Sequence, residues 1–475
     1  MGKNREPMSN VDTAWLRMDH PTNLMIINGI LIFEERLDMD RLRRLLEERF
    51  LTYKRFRQKV VRHAGSLRNP DWVDDENFDL DNHLIRLSLE PGGNLQKRLQ
   101  ERIGQLMSED LDPDRPLWQF YLLDIPGDEC VVICRMHHCI ADGTALVRVM
   151  LSLTDEAANG GENAGSYAQA PSGNAVQPRS SGFFDPIVHA AEKTWQVGVN
   201  LFKQGKYVVT HPQLLAQAAK MGARGVSTLG KLAFGPSDPP TRFKGPLTRN
   251  KLGVWSRPVS LDAVKTIGRA TGSTVNDVLF TAMLGGLRRY LEMHGENTRD
   301  LELRATVPVN LRDPERALEL GNHFGLVFPA LPVGVIDPLE RIRLMREEMN
   351  RIKSSPEAMI TLGALHAAAV APQDIQDLVV NFLGSKTSAV MTNVPGPRQK
   401  LFLAGAPLKH IIFWVPQSGR VGMGISIFSY AGEVIMGIAA DTGLVPDPEN
   451  IIEAFHQEFD MLLEQARNLS NDPQT

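Results

Sequence analysis

A break in the middle of the sequence constrains this chain more than any other feature. From about Asp155 to Gly182 the residues are dominated by Ala, Gly, Ser, Asn and Pro (ANGGENAGSYAQAPSGNAVQPRSSG). Such a stretch has too little apolar surface to pack and behaves as a flexible connection. Strand-like and helix-like patterns alternate on either side of it. The chain is therefore expected to fold as two α+β halves joined by a mobile crossover. The expected divisions are 1–155, a linker and basic helical crossover over 156–248, and 249–475. A length of 475 residues suits two to three domains.

In the first half, Ile26 to Phe33 reads as an Ile-rich strand. Asp40 to Phe50 and Leu95 to Met107 carry leucines at helical spacing. Pro116 to Ile125 and Cys130 to Met136 read as buried strands separated by the turn Pro126-Gly127-Asp128, and Thr144 to Leu153 returns to helical spacing. In the second half, Ser260 to Ala270 reads as a helix with a Ser cap and Gly272 just past its end. A longer helix begins near Asn276, and Asp337 to Ile352 and Pro448 to Asn468 are further helices. Strands are expected over Leu301 to Val309, Phe324 to Pro332, Thr387 to Thr392, Lys409 to Val415, Gly422 to Tyr430 and Glu433 to Ala440. No short-period repeat is present.

Composition excludes several functions. A net charge of −4 argues against a nucleic-acid binder. The three cysteines, Cys130, Cys134 and Cys139, lie within ten residues and are odd in number. That pattern is unlike a secreted disulfide framework and fits a reducing, cytoplasmic compartment. The opening MGKNREPMSN has no apolar core, unlike a signal peptide, and Glu6 stands where myristoylation favours Ser or Thr. No run of about 18 apolar residues occurs; Met359 to Pro372 is shorter, contains His366 and reads as a core helix.

The chemistry concentrates in Met136-His137-His138-Cys139-Ile140-Ala141-Asp142-Gly143, directly after the apolar run Val131 to Cys134. Successive strand residues point to opposite faces, so one histidine can meet a channel while its neighbour faces the core. Asp142 is placed to orient a ring or to anchor the loop, and Gly143 permits a tight turn. A neutral imidazole can take a proton from a hydroxyl near neutral pH. A chance match to HHxxxDG is on the order of one in a thousand at average residue frequencies. Zinc is the rival use of His137, His138, Asp142 and the cysteines, but no CxxC or HExxH spacing occurs, and no metal is expected. The absence of GxSxG, GxxxxGK[ST] and GxGxxG motifs removes local support for serine hydrolysis, nucleotide hydrolysis and dinucleotide redox chemistry. With no enzyme nucleophile evident, direct attack in a ternary complex is the simplest route.

HHxxxDG after a strand resembles the signature of coenzyme A-dependent acyltransferases of the chloramphenicol acetyltransferase-like fold. Within that group the chain resembles the bacterial wax ester synthase/diacylglycerol acyltransferase family, from about Val11 to the final helix. Asp114-Arg115-Pro116-Leu117-Trp118, Asn276-Asp277-Val278-Leu279, Pro308-Val309-Asn310-Leu311-Arg312, Asn393-Val394-Pro395-Gly396-Pro397 and Ser429-Tyr430-Ala431-Gly432 resemble its further motifs in the same order. Ile26-Ile27-Asn28-Gly29 departs from the Met-His-Val-Gly run of many members, which leaves substrate preference open.

The resemblance implies two chloramphenicol acetyltransferase-like domains, each a mixed β-sheet with flanking helices, and an active-site channel between them. It implies His138 as the base, with His137 and Asp142 holding loop and ring. Gly143, Pro116, Trp118, Asn276, Asp277, Asn393, Pro395 and Gly396 become substrate-binding or structural candidates. Several of these types also serve as core, helix caps and turns. Acyl-CoA is expected as a substrate rather than a resident cofactor, with a long-chain alcohol or diacylglycerol as acceptor. Alternatives are acyl transfer or condensation from a carrier-protein thioester, and a non-catalytic lipid-droplet coat.

Such substrates place the protein at the inner membrane face or on lipid droplets, by peripheral contact. Two basic stretches suit that role. Arg41 to Arg62 holds nine Lys or Arg with Phe50, Leu51, Tyr53 and Phe56 interleaved. Lys193 to Lys251 holds ten Lys or Arg and one acid, Asp238, and is the preferred region. A solvated basic face, or attraction for coenzyme A phosphates, explains the same pattern. Oligomeric state is not legible.

Overall fold

The computed structural model describes residues 5–63, 68–158, 237–312, 320–369, 384–417 and 419–471. The core of the expected linker and most of the second basic stretch lie outside these residues.

The first half runs β1 (Arg5–Pro7), α1 (Asn10–Arg17), β2 (Ile26–Phe33), α2 (Met39–Glu48), β3 (Gln58–Val61), β4 (Asp71–Asp74), β5 (Leu84–Ser88), α3 (Leu95–Met107), β6 (Trp118–Asp124), β7 (Cys130–His137), α4 (Gly143–Ser152) and β8 (Thr154–Asp155). The second continues with β9 (Lys251–Trp255), β10 (Val259–Ser260), α5 (Leu261–Thr271), α6 (Val275–Met293), β11 (Leu303–Asn310), β12 (Phe324–Val327), β13 (Ala330–Leu331), α7 (Pro338–Lys353), α8 (Glu357–Ala369), β14 (Ala389–Pro395), β15 (Phe402–Leu403), β16 (Ala406–Trp414), β17 (Met423–Tyr430), β18 (Glu433–Asp441) and α9 (Glu449–Asn471).

The first sheet has the order β5-β6-β7-β2-β16-β15-β8, and the second β10-β18-β17-β14-β11-β12, with β9 on β18 and β13 on β11. A small sheet, β1-β4-β3, stands apart. Both main sheets are mixed: β5 and β6 are parallel in the first, and β14 runs parallel to β11 and β17 in the second.

Every residue of β7 is buried. A strand covered on both faces reads as a continuous apolar run, which is why it stands out in the sequence. Its Arg135 donates from Nη1 to Gln119 Oε1 and from Nη2 to the Glu109 carbonyl, while Nε is buried without a partner among the described residues. The single strand expected over Phe324 to Pro332 is split into β12 and β13, because Pro329 between them has no N–H for a ladder.

The second half lends strands to the first sheet. β16 comes from the second half, yet it pairs antiparallel with β2, with Phe413 opposite Gly29 and Trp414 opposite Asn28. Tyr430 pins this crossover: its hydroxyl donates to the Leu408 carbonyl at 3.0 Å and accepts from Leu401 N at 2.8 Å. One face of the first sheet packs under α4, with Leu146 and Val149 in the same apolar cluster as Cys134, Met136 and Phe413. The other face packs against α3 and merges with Trp255 and Ile435 of the second sheet. Helices α5, α6, α7 and α9 cover the second sheet, around a buried ion pair of Arg341 Nη1 and Glu458 Oε2 at 2.8 Å.

Candidate active site

β7 ends at His137, and the next residues form the loop that leads into α4. Both histidines are buried, with His137 2% and His138 8% exposed. They are nevertheless used differently. His137 Nδ1 accepts from Cys139 N at 3.0 Å, which assigns its proton to Nε2. That nitrogen faces Asp19 Oδ2 at 3.7 Å. Asp19 also accepts from Met25 N at 2.8 Å. Burial pushes the Asp19 carboxyl up, but the His137 ring and the Met25 N–H outweigh it and leave it below the ordinary carboxylate value. His137 is thus committed to holding the loop.

His138 donates its backbone N–H to the Met25 carbonyl at 2.7 Å, but its ring lies flat on Trp15, centroids 3.9 Å apart and planes at 14°. Phe324 of the second half approaches at 6.0 Å. The ring's Nδ1 is buried without a hydrogen-bond partner. Burial pushes the imidazole down to about 4, with His137 adding to the effect; the Asp142 carboxylate and the residue's own carbonyl oppose it. The ring is therefore neutral at neutral pH.

Asp142 serves the loop, not a ring. It caps α4, with Oδ1 accepting from Ala145 N at 2.9 Å. Its Oδ2 accepts from Arg312 Nη2 at 2.7 Å and His323 N at 3.1 Å. Arg312 also donates to the Gly321 carbonyl at 2.7 Å. Asn322 Nδ2 reaches the His138 carbonyl at 2.9 Å and Asp12 Oδ1 at 2.8 Å. Burial raises the Asp12 carboxyl. Residues 312 and 321–324 of the second half thus grip the histidine loop of the first.

Gly143 corrects one expectation. It is the first residue of α4, its φ is not positive, and a Cβ there would meet nothing within 4 Å. The turn does not require glycine; the position borders an apolar cavity instead.

The other expected residues fall into place around this centre. Trp118 is fully buried, stacks on His83 at 4.5 Å and donates Nε1–H to the Phe56 carbonyl at 2.9 Å, while the Pro116 carbonyl accepts from Trp118 N at 2.8 Å. Asp277 forms a capping box with Thr274. Asn276 is bonded to Asn393 Nδ2, so two motifs far apart in sequence meet side chain to side chain. Pro395 lies opposite Ser429, and Gly396 is needed for close approach, since a Cβ would stand 2.3 Å from the Ser429 carbonyl. Phe50 and Phe56 of the first basic stretch stack at 3.8 Å in the core and are not available to lipid. Among the described residues no group of three or more His, Cys, Asp or Glu is arranged to hold a metal, and no helix is long and apolar enough to cross a membrane.

Trp15, Asp19, Asn322 and Phe324 are site residues that sequence reasoning missed. Ser9 followed by Asp12 is a helix-start signal that could have revealed α1. Nothing local says that this helix covers His138.

A buried histidine pair on a loop gripped by both halves of a paired-sheet fold fits an acyltransferase of the chloramphenicol acetyltransferase-like class. The "Wax ester synthase/diacylglycerol acyltransferase catalytic domain" description matches residues 8–279, and the "WS/DGAT C-terminal domain" description matches residues 320–463. The chain belongs to the wax ester synthase/diacylglycerol acyltransferase family. Two proteins of Mycobacterium tuberculosis that carry the name diacylglycerol O-acyltransferase are each 27% identical to it. One alignment covers 85% of this chain and 83% of the relative, the other 97% and 90%. The wax ester synthase/diacylglycerol acyltransferase of Marinobacter aquaeolei has the same fold, with a TM-score of 0.68 at 19% identity over 97% of this chain and all of that one. The first condensation domain of the calcium-dependent antibiotic synthetase shares it at a TM-score of 0.60 and 14% identity, over 98% and 97% of the two chains.

Proposed function

We propose that this chain moves a fatty acyl group from an acyl-CoA thioester to the hydroxyl of a long-chain alcohol or a diacylglycerol, with His138 as general base. The observation that carries the reading is the contrast within the histidine pair. The His137 ring is tied to its own loop through Nδ1 and faces the Asp19 carboxylate, whereas the His138 ring lies on Trp15 with Nδ1 unpartnered and is fixed only by stacking and by its backbone.

In this scheme the acceptor hydroxyl gives its proton to His138 Nε2 as its oxygen attacks the thioester carbonyl. The tetrahedral intermediate then expels the coenzyme A thiolate. The imidazolium returns the proton to that sulfur, leaving an ester, free coenzyme A and a neutral ring. Trp15 offers its π face to the transient cation. Asp142 and Arg312 keep the loop in place, so little reorganisation accompanies proton transfer. The scheme uses no metal and no resident cofactor.

The test is direct. Purified protein is supplied with palmitoyl-CoA and either hexadecanol or dioleoylglycerol, and ester and free thiol are measured together. Ester formed in step with thiol is expected. Failure with both acceptors, alongside turnover of a carrier-protein thioester, would replace this reading with the carrier route. Contact with anionic lipid through the basic stretch after residue 193 is part of the proposal. Flotation with anionic vesicles should weaken on charge reversal of Lys203, Lys206 and Lys220, and unchanged binding would refute it.

A further inference from the structure

The Asn322 side chain does more than tie the two halves together. It lies just before β12, and both of its neighbours are held, the Gly321 carbonyl by Arg312 and the His323 N–H by Asp142. The residue is buried, and its Nδ2 is fully used: one N–H meets Asp12 Oδ1 at 2.8 Å and the other the His138 carbonyl at 2.9 Å. The amide cannot turn over without losing both bonds, so its Oδ1 is fixed as an acceptor.

That Oδ1 is buried and has no donor among the described residues. The His138 Nδ1, on the very residue that the amide holds, is buried and has no acceptor among them. Nδ1 is the ring nitrogen nearer to the main chain, the side on which the amide sits. Two stranded buried groups are costly, and these two are complementary. Such bonds are often open in an unliganded site and tighten in the reacting complex. Burial lowers the proton affinity of the ring; after the Asp142 carboxylate and the residue's own carbonyl, the Asn322 side chain is among the groups that oppose it. An amide favours a cation through its oxygen, not through its NH2.

We propose that Asn322 is the positioning residue of the His138 ring: its Oδ1 takes the Nδ1–H, which leaves Nε2 to receive the proton of the reaction, and Asp12 holds the amide in that sense. The inference rests on the acyltransferase reading above. Which nitrogen of a histidine carries the proton is set by the bond that the other makes. When the hydroxyl gives its proton to Nε2, the positive ring donates more strongly to Oδ1. When that proton leaves for the coenzyme A sulfur, the bond relaxes, and no proton crosses to Asn322. Asp12 belongs to the first half and Asn322 to the second, so the orienting group exists only where the halves meet. The charged and titratable groups facing the ring are Asp142 and His137 of its own loop, while Trp15 and Phe324 approach it without charge.

The experiment compares wild type, Asn322→Ala, and the exchange of Asp12→Asn with Asn322→Asp in one chain. The exchange keeps the size, the charge and the mutual bond of the pair. It also keeps an oxygen toward the ring but removes the N–H to the His138 carbonyl, so it separates an orienting oxygen from a prop for the loop. The readouts are kcat, KM and the pH profile of kcat/KM, with palmitoyl-CoA and the acceptor that wild type turns over faster. Asn322→Ala should lower kcat by about tenfold to a hundredfold, with KM within about twofold. The exchange should bring kcat back to within about tenfold of wild type and raise the acid limb by about one pH unit or more, because a carboxylate then faces the ring. An unchanged kcat in Asn322→Ala, an exchange as slow as Asn322→Ala, or a limb that the exchange leaves in place would each overturn the inference. Circular dichroism and melting identify folded variants, and should one variant not fold, the other carries the test. Wild type that forms no ester would sink the acyltransferase reading instead. The ring would then be followed by proton NMR, where the exchange must raise the His138 titration midpoint if the inference holds.

Discussion

The two faces of the first sheet are packed to different standards. Where α3, which covers one face, meets β9 of the second sheet, glycine is tightly enclosed: a Cβ on Gly104 would lie 2.5 Å from the Lys251 carbonyl, and one on Gly253 2.8 Å from Met107 Cε. The second half keeps the same standard, with a Cβ on Gly285 falling 2.2 Å from the Glu458 carboxylate. On the α4 side Gly29 has room around it. The dense regions form a frame. The looser region, beside the histidine loop, borders an apolar cavity. A buried glycine therefore has two meanings, close contact or kept space, and only its neighbours tell them apart.

If the chemistry belongs to the loose side, His138→Ala should cut kcat/KM by about a hundredfold or more. Melting should stay within a few degrees of wild type, about the shift expected for a small change in stability. Near-normal turnover by a folded variant would end the assignment. In the dense half, Glu458→Ala leaves fully buried Arg341 without its 2.8 Å partner. It should destabilise the protein by about 3–5 kcal/mol in urea titration. The activity of the remaining folded enzyme should be little changed, and a selective loss of kcat would erase the contrast between frame and site.

Arg312 joins the two regions, so its loss should combine both signatures. Arg312→Ala strands the Asp142 carboxylate, and a drop in kcat of about tenfold to a hundredfold is expected from loop misplacement, with Arg312→Lys recovering part of it. An unchanged kcat would show that the grip across the halves is dispensable.

The smallest effects concern pH. Burial takes His138 from an ordinary 6.5 to about 4. The folded protein therefore binds that proton less readily than the unfolded chain does. The ring's contribution to stability is complete above pH 6.5 and is lost as pH falls toward 4. The acid limb of kcat/KM should accordingly fall below pH 5, with a flat profile through neutrality. Trp15→Ala admits water to the ring and should move that limb upward; a limb already near 6.5 in wild type would show that the buried state is not the reacting one.

The sequence alone determined most of the longer strands and helices and the histidine motif. These are written in local chemistry: continuous apolar runs such as β7, caps such as Ser260 and Thr274, and seven adjacent residues from His137 to Gly143. Family motifs placed Arg312 and Asn276 in the right segments without revealing what they touch. Only the tertiary structure decided that β16 crosses into the first sheet, that Asp142 answers to Arg312 rather than to a ring, that Trp15 covers His138, and that Gly29 borders an apolar cavity. Residue type and spacing encode which conformation a segment prefers. They do not encode which distant segment will lie against it, because that choice is made by the burial of whole faces at once.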